Sequence, residues 1–270
     1  MTDLLTADWH LSDNPRDAYR FEFLEQRLPK LIRHYQISRL YLLGDLTEAK
    51  NHHSSQLVNR IIDGLLHIQD QGAEVFLLRG NHDSDADTDN PFFGFAGYFN
   101  DFHYIHQPTH FDGDLLLPHS RDPARDWRDL DLAGVTMILA HATFTGAVGS
   151  NRAPLAGVAP PSSTIPIVSG DVHVPQKIGN VTYVGAPFSI DFGDDYQPRV
   201  LLRAGSKLTT VNLKGSQKRI IRNWPDDHHN AQPGDRIVVS GTIGDHGIAI
   251  KVRRTLLELG KVFDRTQAAL

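Results

Sequence analysis

The sequence predicts an α/β fold built on a parallel sheet, followed by a second and more antiparallel set of short strands. Three observations carry this expectation. Three apolar runs each end on polar residues: Leu4-Leu5-Thr6-Ala7-Asp8-Trp9-His10, Leu40-Tyr41-Leu42-Leu43-Gly44-Asp45, and Val75-Phe76-Leu77-Leu78-Arg79-Gly80-Asn81-His82-Asp83. Short apolar runs bounded by turn residues read as buried strands. Segments with helical periodicity separate them, giving the order βαβαβ and right-handed crossovers. After Asp83 the strand candidates become short and closely spaced.

Taken in order, Asp13-Asn14-Pro15 marks a turn and a helix start. Residues 16–35 carry Leu24, Leu28, Leu31, Ile32 and Tyr35 at helical spacing, and Pro29 should kink or restart that helix. Residues 54–69 place Leu57, Ile61, Leu65 and Ile68 on one face, and Gly72 ends the segment. Residues 84–90 read as an acidic loop, and 91–102, rich in Phe and Gly, as a short packed segment. Strand candidates follow at 103–105, 109–111 and 115–117. The charged stretch 121–131, with Trp127, is a solvated helix or an active-site flap. Residues 135–140 form another buried strand ending on His141, and 146–164 a loop rich in Gly, Pro, Ala and Ser. Residues 165–169 lead into Gly170-Asp171-Val172-His173. Strands at 181–184, 199–202 and 208–213 suggest the second sheet. A polar connector at 224–232 precedes a strand at 236–240 and an amphipathic helix at 248–259. The expected division is a domain over 1–222 and a C-terminal strand–helix extension over 223–270.

Composition narrows the chemistry. The 270 residues include no Cys, which excludes disulfides, thiolate metal sites and Cys nucleophiles. No apolar run is long enough to span a membrane, and the N-terminus lacks a signal-peptide pattern, so a cytoplasmic protein without membrane contact is expected. The formal net charge of -5 argues mildly against nucleic-acid binding by bulk charge. Acidic metal ligands would bias that count, since bound cations neutralise them.

The strand ends share one chemistry. Asp8, His10, Asp45, Asn81, His82, His141, Asp171 and His173 all sit at or within a few residues of the end of an apolar run. In open α/β sheets that edge binds ligands. Each residue alone has an ordinary explanation: a satisfied histidine, or a Gly-Asp turn. Their recurrence does not. Imidazole, carboxylate and carboxamide without thiolate suit Mn, Fe, Co, Ni or Zn. Two such cations with shared carboxylates form the usual clamp for phosphate-ester hydrolysis, in which an acidified bridging water attacks phosphorus in line.

In order, Asp8-Trp9-His10, Gly44-Asp45, Gly80-Asn81-His82-Asp83, His141 and Gly170-Asp171-Val172-His173 resemble the signature of the calcineurin-like metallophosphoesterases. The resemblance spans residues 8–173. It implies an αββα sandwich of two mixed sheets flanked by helices, with a dinuclear metal centre. Asp8, His10 and His173 would hold the first metal and Asp45 would bridge. Asn81 and His141 would hold the second, with Asp171 where the family has His. His82 would protonate the leaving oxygen and Asp83 would orient it. A carboxylate at 171 adds negative charge, which favours Mn or Mg over Zn. Glu48 is expected behind the ligands, and His52 and His53 are either near the phosphate or part of a solvated helix start.

Substrate is a finer question, because the superfamily serves many. Tyr183-Val184-Gly185-Ala186-Pro187 and Asp191-Phe192-Gly193-Asp194 are similar to segments of the SbcD-type DNA repair nucleases, and residues 236–259 resemble the start of that family's cap. The resemblance implies a Mn-preferring exo- or endonuclease acting on DNA; the alternatives are a phosphatase or phosphodiesterase for small nucleotides or phosphoproteins, and a non-catalytic binding member. A homodimer is compatible. The chain is shorter than those nucleases, so an ATPase partner is not expected. Basic residues cluster loosely at Lys214, Lys218, Arg219 and Arg222, at Lys251, Arg253 and Arg254, and at Arg121, Arg125 and Arg128.

Overall fold

A computed structural model describes residues 1–50, 52–84, 100–191 and 194–213. Arg16 and the strands at 221–224, 236–243 and 246–252 are described as backbone alone. The expected acidic loop, most of the Phe-Gly segment, the basic residues at 214–219 and 253–254, and the connector after Trp224 lie outside the described residues. The chain divides into two compact units, one of residues 1–188 and 196–216, the other of 189–195 and 217–270.

The first unit holds two six-stranded mixed sheets. Strands β1 (Asp3–Thr6), β2 (Arg39–Leu42), β3 (Glu74–Leu78) and β4 (Phe102–Ile105) pair in parallel. Strands β5 (Thr109–Phe111), β6 (Asp114–Leu117), β7 (Met137–His141), β8 (Ile167–Gly170), β9 (Gln176–Ile178) and β10 (Val181–Tyr183) make the second sheet, in the order β5-β6-β7-β8-β10-β9. Strands β11 (Arg199–Ala204) and β12 (Lys207–Asn212) do not join this second sheet, as their sequence suggested. They extend the first, with β11 antiparallel to β1. The parallel run uses only one edge of β1, and a hairpin satisfies the N–H and C=O groups of the other.

Side-chain alternation builds the sandwich. Leu5, Tyr41, Phe76 and Leu78 from the first sheet pack with Leu116, Leu139 and Val168 from the second in one buried core. The intervening residues Leu115, Leu117, Ile138 and Ala140 face the other way, where Trp127, Leu130, Leu132 and Val135 cover them. Among the described residues, helices appear only in the first half of the chain. There α1 (Tyr19–Glu22) passes through a π-helical turn at Phe23–Arg27 into α2 (Leu28–Tyr35). Pro29 has no N–H to donate to the turn before it, so the expected irregularity appears as a widened turn on its N-terminal side. Ser54 caps α3 (Ser55–Gln69), its hydroxyl accepting from the Leu57 N–H at 3.0 Å. Residues 121–131 contain a single helical turn, α4 (Pro123–Asp126).

In the second unit β13 (Ile221–Trp224) runs parallel to β14 (Arg236–Ile243), which pairs antiparallel with β15 (His246–Val252). The helix expected from residue 248 is therefore a strand as far as Val252. Ile248, Ile250 and Val252 alternate at period two, with Gly-Asp at 244–245 between the strands, and that hairpin pattern wins over the helical one.

Candidate metal centre

The rim forms where β1, β2, β3, β7 and β8 end. Asp8, His10, Asp45 and Asp171 all adopt left-handed backbone conformations there, with φ of 57°, 45°, 55° and 73°. Non-glycine residues avoid this region, and a group of them marks backbone held by its surroundings. The holding bonds are visible. The β1 and β2 exits are zipped by Asp8 N–H to the Gly44 carbonyl (3.0 Å), His10 N–H to Asp45 (3.0 Å) and Leu11 N–H to Leu46 (2.9 Å). The β8 exit is tied in by Asp171 N–H, which donates to Asp8 Oδ1 at 3.0 Å.

Seven candidate ligands meet at this rim. Asp8, His10 and His173 offer donor atoms all within 4.8 Å of one another, and so do Asp8, Asp45 and His141. His10 Nε2 and His173 Nε2 lie 3.1 Å apart. Asp45 stands between two imidazoles: Oδ2 is 3.5 Å from His10 Nε2 and Oδ1 is 3.4 Å from His141 Nε2. Asn81 and Asp171 close the second side, the Asp171 Oδ1 lying 3.6 Å from His141 Nε2.

The residues fit divalent cations. Buried Asp8 leaves Oδ2 without a hydrogen-bond partner, and a buried carboxylate oxygen without a donor is costly. The Asn81 amide oxygen faces only acceptors, at 2.9 Å from His141 Nε2 and 3.2 Å from Asp45 Oδ2 and Asp171 Oδ1. Turning the amide over would satisfy these atoms by donation, whereas a cation among them would satisfy all four at once. His141 Nδ1 lies 2.7 Å from the Leu43 carbonyl, which fixes the ring and aims Nε2 at the site. Without a cation a proton takes that role. Burial alone would depress His141, but Asp45, Asp171 and Asp8 overcome it and raise the imidazole to about 9. Burial pushes the Asp8 carboxyl well up, and burial with the His173 and His82 rings pushes His10 well down.

Two glycines make this convergence possible. A Cβ on Gly44 would lie 2.0 Å from His141 Nδ1, and one on Gly80 would lie 2.1 Å from Asp45 Oδ1. The Gly-Asp and Gly-Asn dipeptides thus let one strand end approach the ligand of the next.

Asp83 takes a different place from the one the resemblance implied. Fully buried Asp83 accepts from the N–H groups of Gly80 (2.9 Å), Asp45 (2.7 Å), Leu46 (3.0 Å) and Thr47 (3.4 Å). Its carboxylate staples the β2 and β3 exits together and does not orient the His82 ring. Burial and the neighbouring Asp45 raise it to about 7 against those hydrogen bonds. The His82 ring is held by Glu48, whose carbonyl lies 2.6 Å from Nδ1, while His82 N–H donates to Asp45 Oδ1 at 2.8 Å. The ring meets His10 edge-on, with centroids 4.8 Å apart. Glu48 carboxylate in turn takes a 2.9 Å bond from buried Arg20 and lies 3.4 Å from His10 Nδ1.

Sequence reasoning did not single out Arg20, Thr143 or His119. Arg20 also donates to the His10 carbonyl. Thr143 Oγ1 donates to Asp171 Oδ2 at 2.6 Å, which aims the other carboxylate oxygen at His141. His119 packs edge-on against His141, with centroids 6.1 Å apart. Leu115-Leu116-Leu117-Pro118-His119 repeats the apolar-run-then-histidine pattern, which is the signal that would have found it. Conversely His52 is exposed, and His53 is engaged by the Thr47 hydroxyl at 3.0 Å.

No helix among the described residues is long and apolar enough to cross a membrane. No family model and no curated protein matches the chain. Among solved structures, the chain is similar to the Pseudomonas putida nuclease MPE, with 16% identity and a TM-score of 0.39 over 77% of this chain and 86% of that one. It is also similar to the purple acid phosphatase PPD1 from yellow lupin (Lupinus luteus) seeds, with 10% identity and a TM-score of 0.44 over 81% of this chain and 52% of that one.

Proposed function

We propose that the chain is a metal-dependent phosphoesterase of the calcineurin-like type, and more finely a DNA nuclease. The observation that carries this is the position of Asp45. Its two oxygens face separate imidazoles, His10 and His141; Asp8 and His173 stand with the first, and Asp8 also reaches the second. One carboxylate shared by two donor sets is what a pair of cations requires. Asp8, His10 and His173 would hold one ion and Asn81, His141 and Asp171 the other. Bound there, the two ions would supply an acidified water and offset the charge that builds on the phosphate oxygens.

The remaining residues have roles of their own. Glu48 carbonyl favours the His82 tautomer with its proton on Nδ1, and the protonated ring can pass its Nε2 proton to the leaving oxygen. Arg20 fixes Glu48 and the His10 backbone, so the first ligand set stays registered with His82. Asp171 favours a harder ion, and Mn is the proposed one. DNA as substrate is supported by the Tyr183-to-Pro187 and Asp191-to-Asp194 resemblance to SbcD-type nucleases.

The test is hydrolysis by the wild type and His82→Ala, with Mn, of labelled single- and double-stranded DNA beside bis(p-nitrophenyl) phosphate. A DNA nuclease cuts DNA with steep salt dependence, and His82→Ala slows it by about 10²–10⁴-fold. Cleavage of the generic diester with DNA left intact would favour a small-nucleotide enzyme. Hydrolysis of neither, with any divalent metal, removes the proposal.

A further inference from the structure

Beside the rim lies a cavity of about 260 Å³ lined by Arg79, His119, Arg121, Arg125, Asp126 and Trp127, among others. It draws on the β3 exit, the β6 exit and α4, so it opens from the same sheet ends that carry Asn81 and His141. His119 is the shared wall, since its ring also packs against His141. Arg79 and His119 are locked to one another by two bonds of 2.8 Å, guanidinium to the His119 carbonyl and His119 N–H to the Arg79 carbonyl. Trp127 packs on buried Phe144, at 6.1 Å between centroids, which makes it a fixed platform.

The charge of this cavity opposes that of the rim. Among the described lining residues, three guanidinium groups stand with one carboxylate, Asp126, which takes bonds of 2.7 and 3.2 Å from Arg125 and accepts from Ser120 Oγ at 2.7 Å. Asp122 nearby caps α4, accepting from the Arg125 N–H at 3.2 Å. Arginine with an adjoining aromatic face is a common combination for phosphate and base together. The volume falls below the roughly 300–1,000 Å³ of pockets that enclose a whole drug-sized ligand, so it suits one fragment of a larger substrate.

We propose that this cavity binds a second phosphate of the substrate, flanking the one that is hydrolysed, and so selects diesters that carry a further phosphate. This rests on the phosphoesterase function proposed above and adds the substrate feature that Arg121 and Arg125 recognise. The cationic cavity and the metal-binding rim then divide the work: one positions a phosphate that stays intact, the other acts on its neighbour.

The experiment compares kcat/KM for a dithymidine monophosphate with that for the same dinucleotide phosphorylated at both ends. Wild type should prefer the phosphorylated form, and the Arg121→Gln/Arg125→Gln variant should lose at least about tenfold of that preference, roughly one bidentate contact's worth. Both side chains are exposed, so folding is preserved, and Arg121→Gln alone should give a smaller fall in the same direction. A wild type without preference, or a preference equal in the variant, overturns the proposal. If neither dinucleotide is cleaved, the phosphoesterase function fails separately, and binding decides the cavity. Thymidine 3′,5′-bisphosphate is then titrated by calorimetry into EDTA-treated protein. At least tenfold weaker binding by the double variant supports the cavity, and equal affinity overturns it.

Discussion

Strand β1 has a buried carboxylate at each end, and the two ends treat it differently. At its start, Asp3 shares Arg203 with Asp114 from the second sheet: the guanidinium lies 2.6 Å from Asp3 Oδ2 and also donates to Asp114, and it stacks over Tyr41 at 5.2 Å. Just past its end, Asp8 lies with Asp45 and Asp171. The arginine nearby, Arg20, gives its bonds to Glu48, Asp17 and the His10 backbone rather than to that cluster. Burying a carboxylate costs several kcal/mol unless a cation or donors offset it. The first cluster carries its cation in the sequence, and the second leaves the position to a cation from solution. The difference teaches why, among the described residues, the Asp8 end gathers groups that could hold a metal and the Asp3 end does not, although both are rich in buried acid.

The largest expected effect breaks the rim. Asp45→Asn removes the carboxylate shared by both donor sets, and several kcal/mol of charge stabilisation go with it. Mn-dependent diester hydrolysis should fall by at least about a thousandfold, read as initial rates at saturating metal. A loss under tenfold would mean that Asp45 is not shared.

Breaking the other end should do the reverse. Arg203→Met leaves Asp3 and Asp114 buried without their cation, which should cost about 3–5 kcal/mol in urea unfolding. The number of Mn ions bound per folded chain should not change. Asp8→Asn in metal-free protein should cost far less, because no cation is lost and the amide oxygen can still accept from the Asp171 N–H.

Metal addition sharpens the contrast. Divalent ion at about a hundred times its Kd should stabilise the wild type and Arg203→Met by ~2.7 kcal/mol, reversed by EDTA, with no such gain in Asp45→Asn. Without metal, the direction with pH follows from His141 and Asp83. Both have folded-state values raised above their unfolded ones, to about 9 and about 7. Their stabilising contributions are fully present below the unfolded values and are lost as pH rises through the folded ones. Metal-free protein should therefore lose stability from about pH 4 to 9; Mn should remove the part due to His141, between its ordinary 6.5 and about 9, since the ion replaces that proton, and should leave the part due to Asp83. Parallel thermal melts in EDTA and in Mn test this, and identical pH slopes would contradict it.

The rim was legible because each candidate ligand lies at or within four residues of a strand end: Gly44-Asp45 and Gly80-Asn81 carry both the turn and the donor in adjacent residues. The parallel core was legible for the same reason, from local apolar runs. What escaped was non-local. Nothing in the β11 sequence says that it will pair with β1 nearly 200 residues earlier, and Arg203 has no meaning until that pairing brings it to Asp3. Residues 248–252 carry a pattern that serves helix or strand, and their hairpin partner decided it. The resemblance implied that Asp83 orients His82, yet its carboxylate turns back onto the backbone.

Thr143 gives the smallest and most selective test, because it acts on only one half of the rim. Its hydroxyl supplies the 2.6 Å bond that fixes Asp171 Oδ2 and leaves Oδ1 toward His141. Thr143→Val keeps the shape and removes the donor, so Asp171 should swing more freely and ligate less well. Changes of this kind behind a ligand typically weaken metal affinity about 10–100-fold. The lower figure applies here, since Asn81 and His141 still hold that side. In a Mn titration followed by calorimetry, the weaker of two sites should lose about tenfold while the site of Asp8, His10 and His173 keeps its affinity. Equal weakening of both sites, or of neither, would show that Asp171 does not discriminate between the two halves.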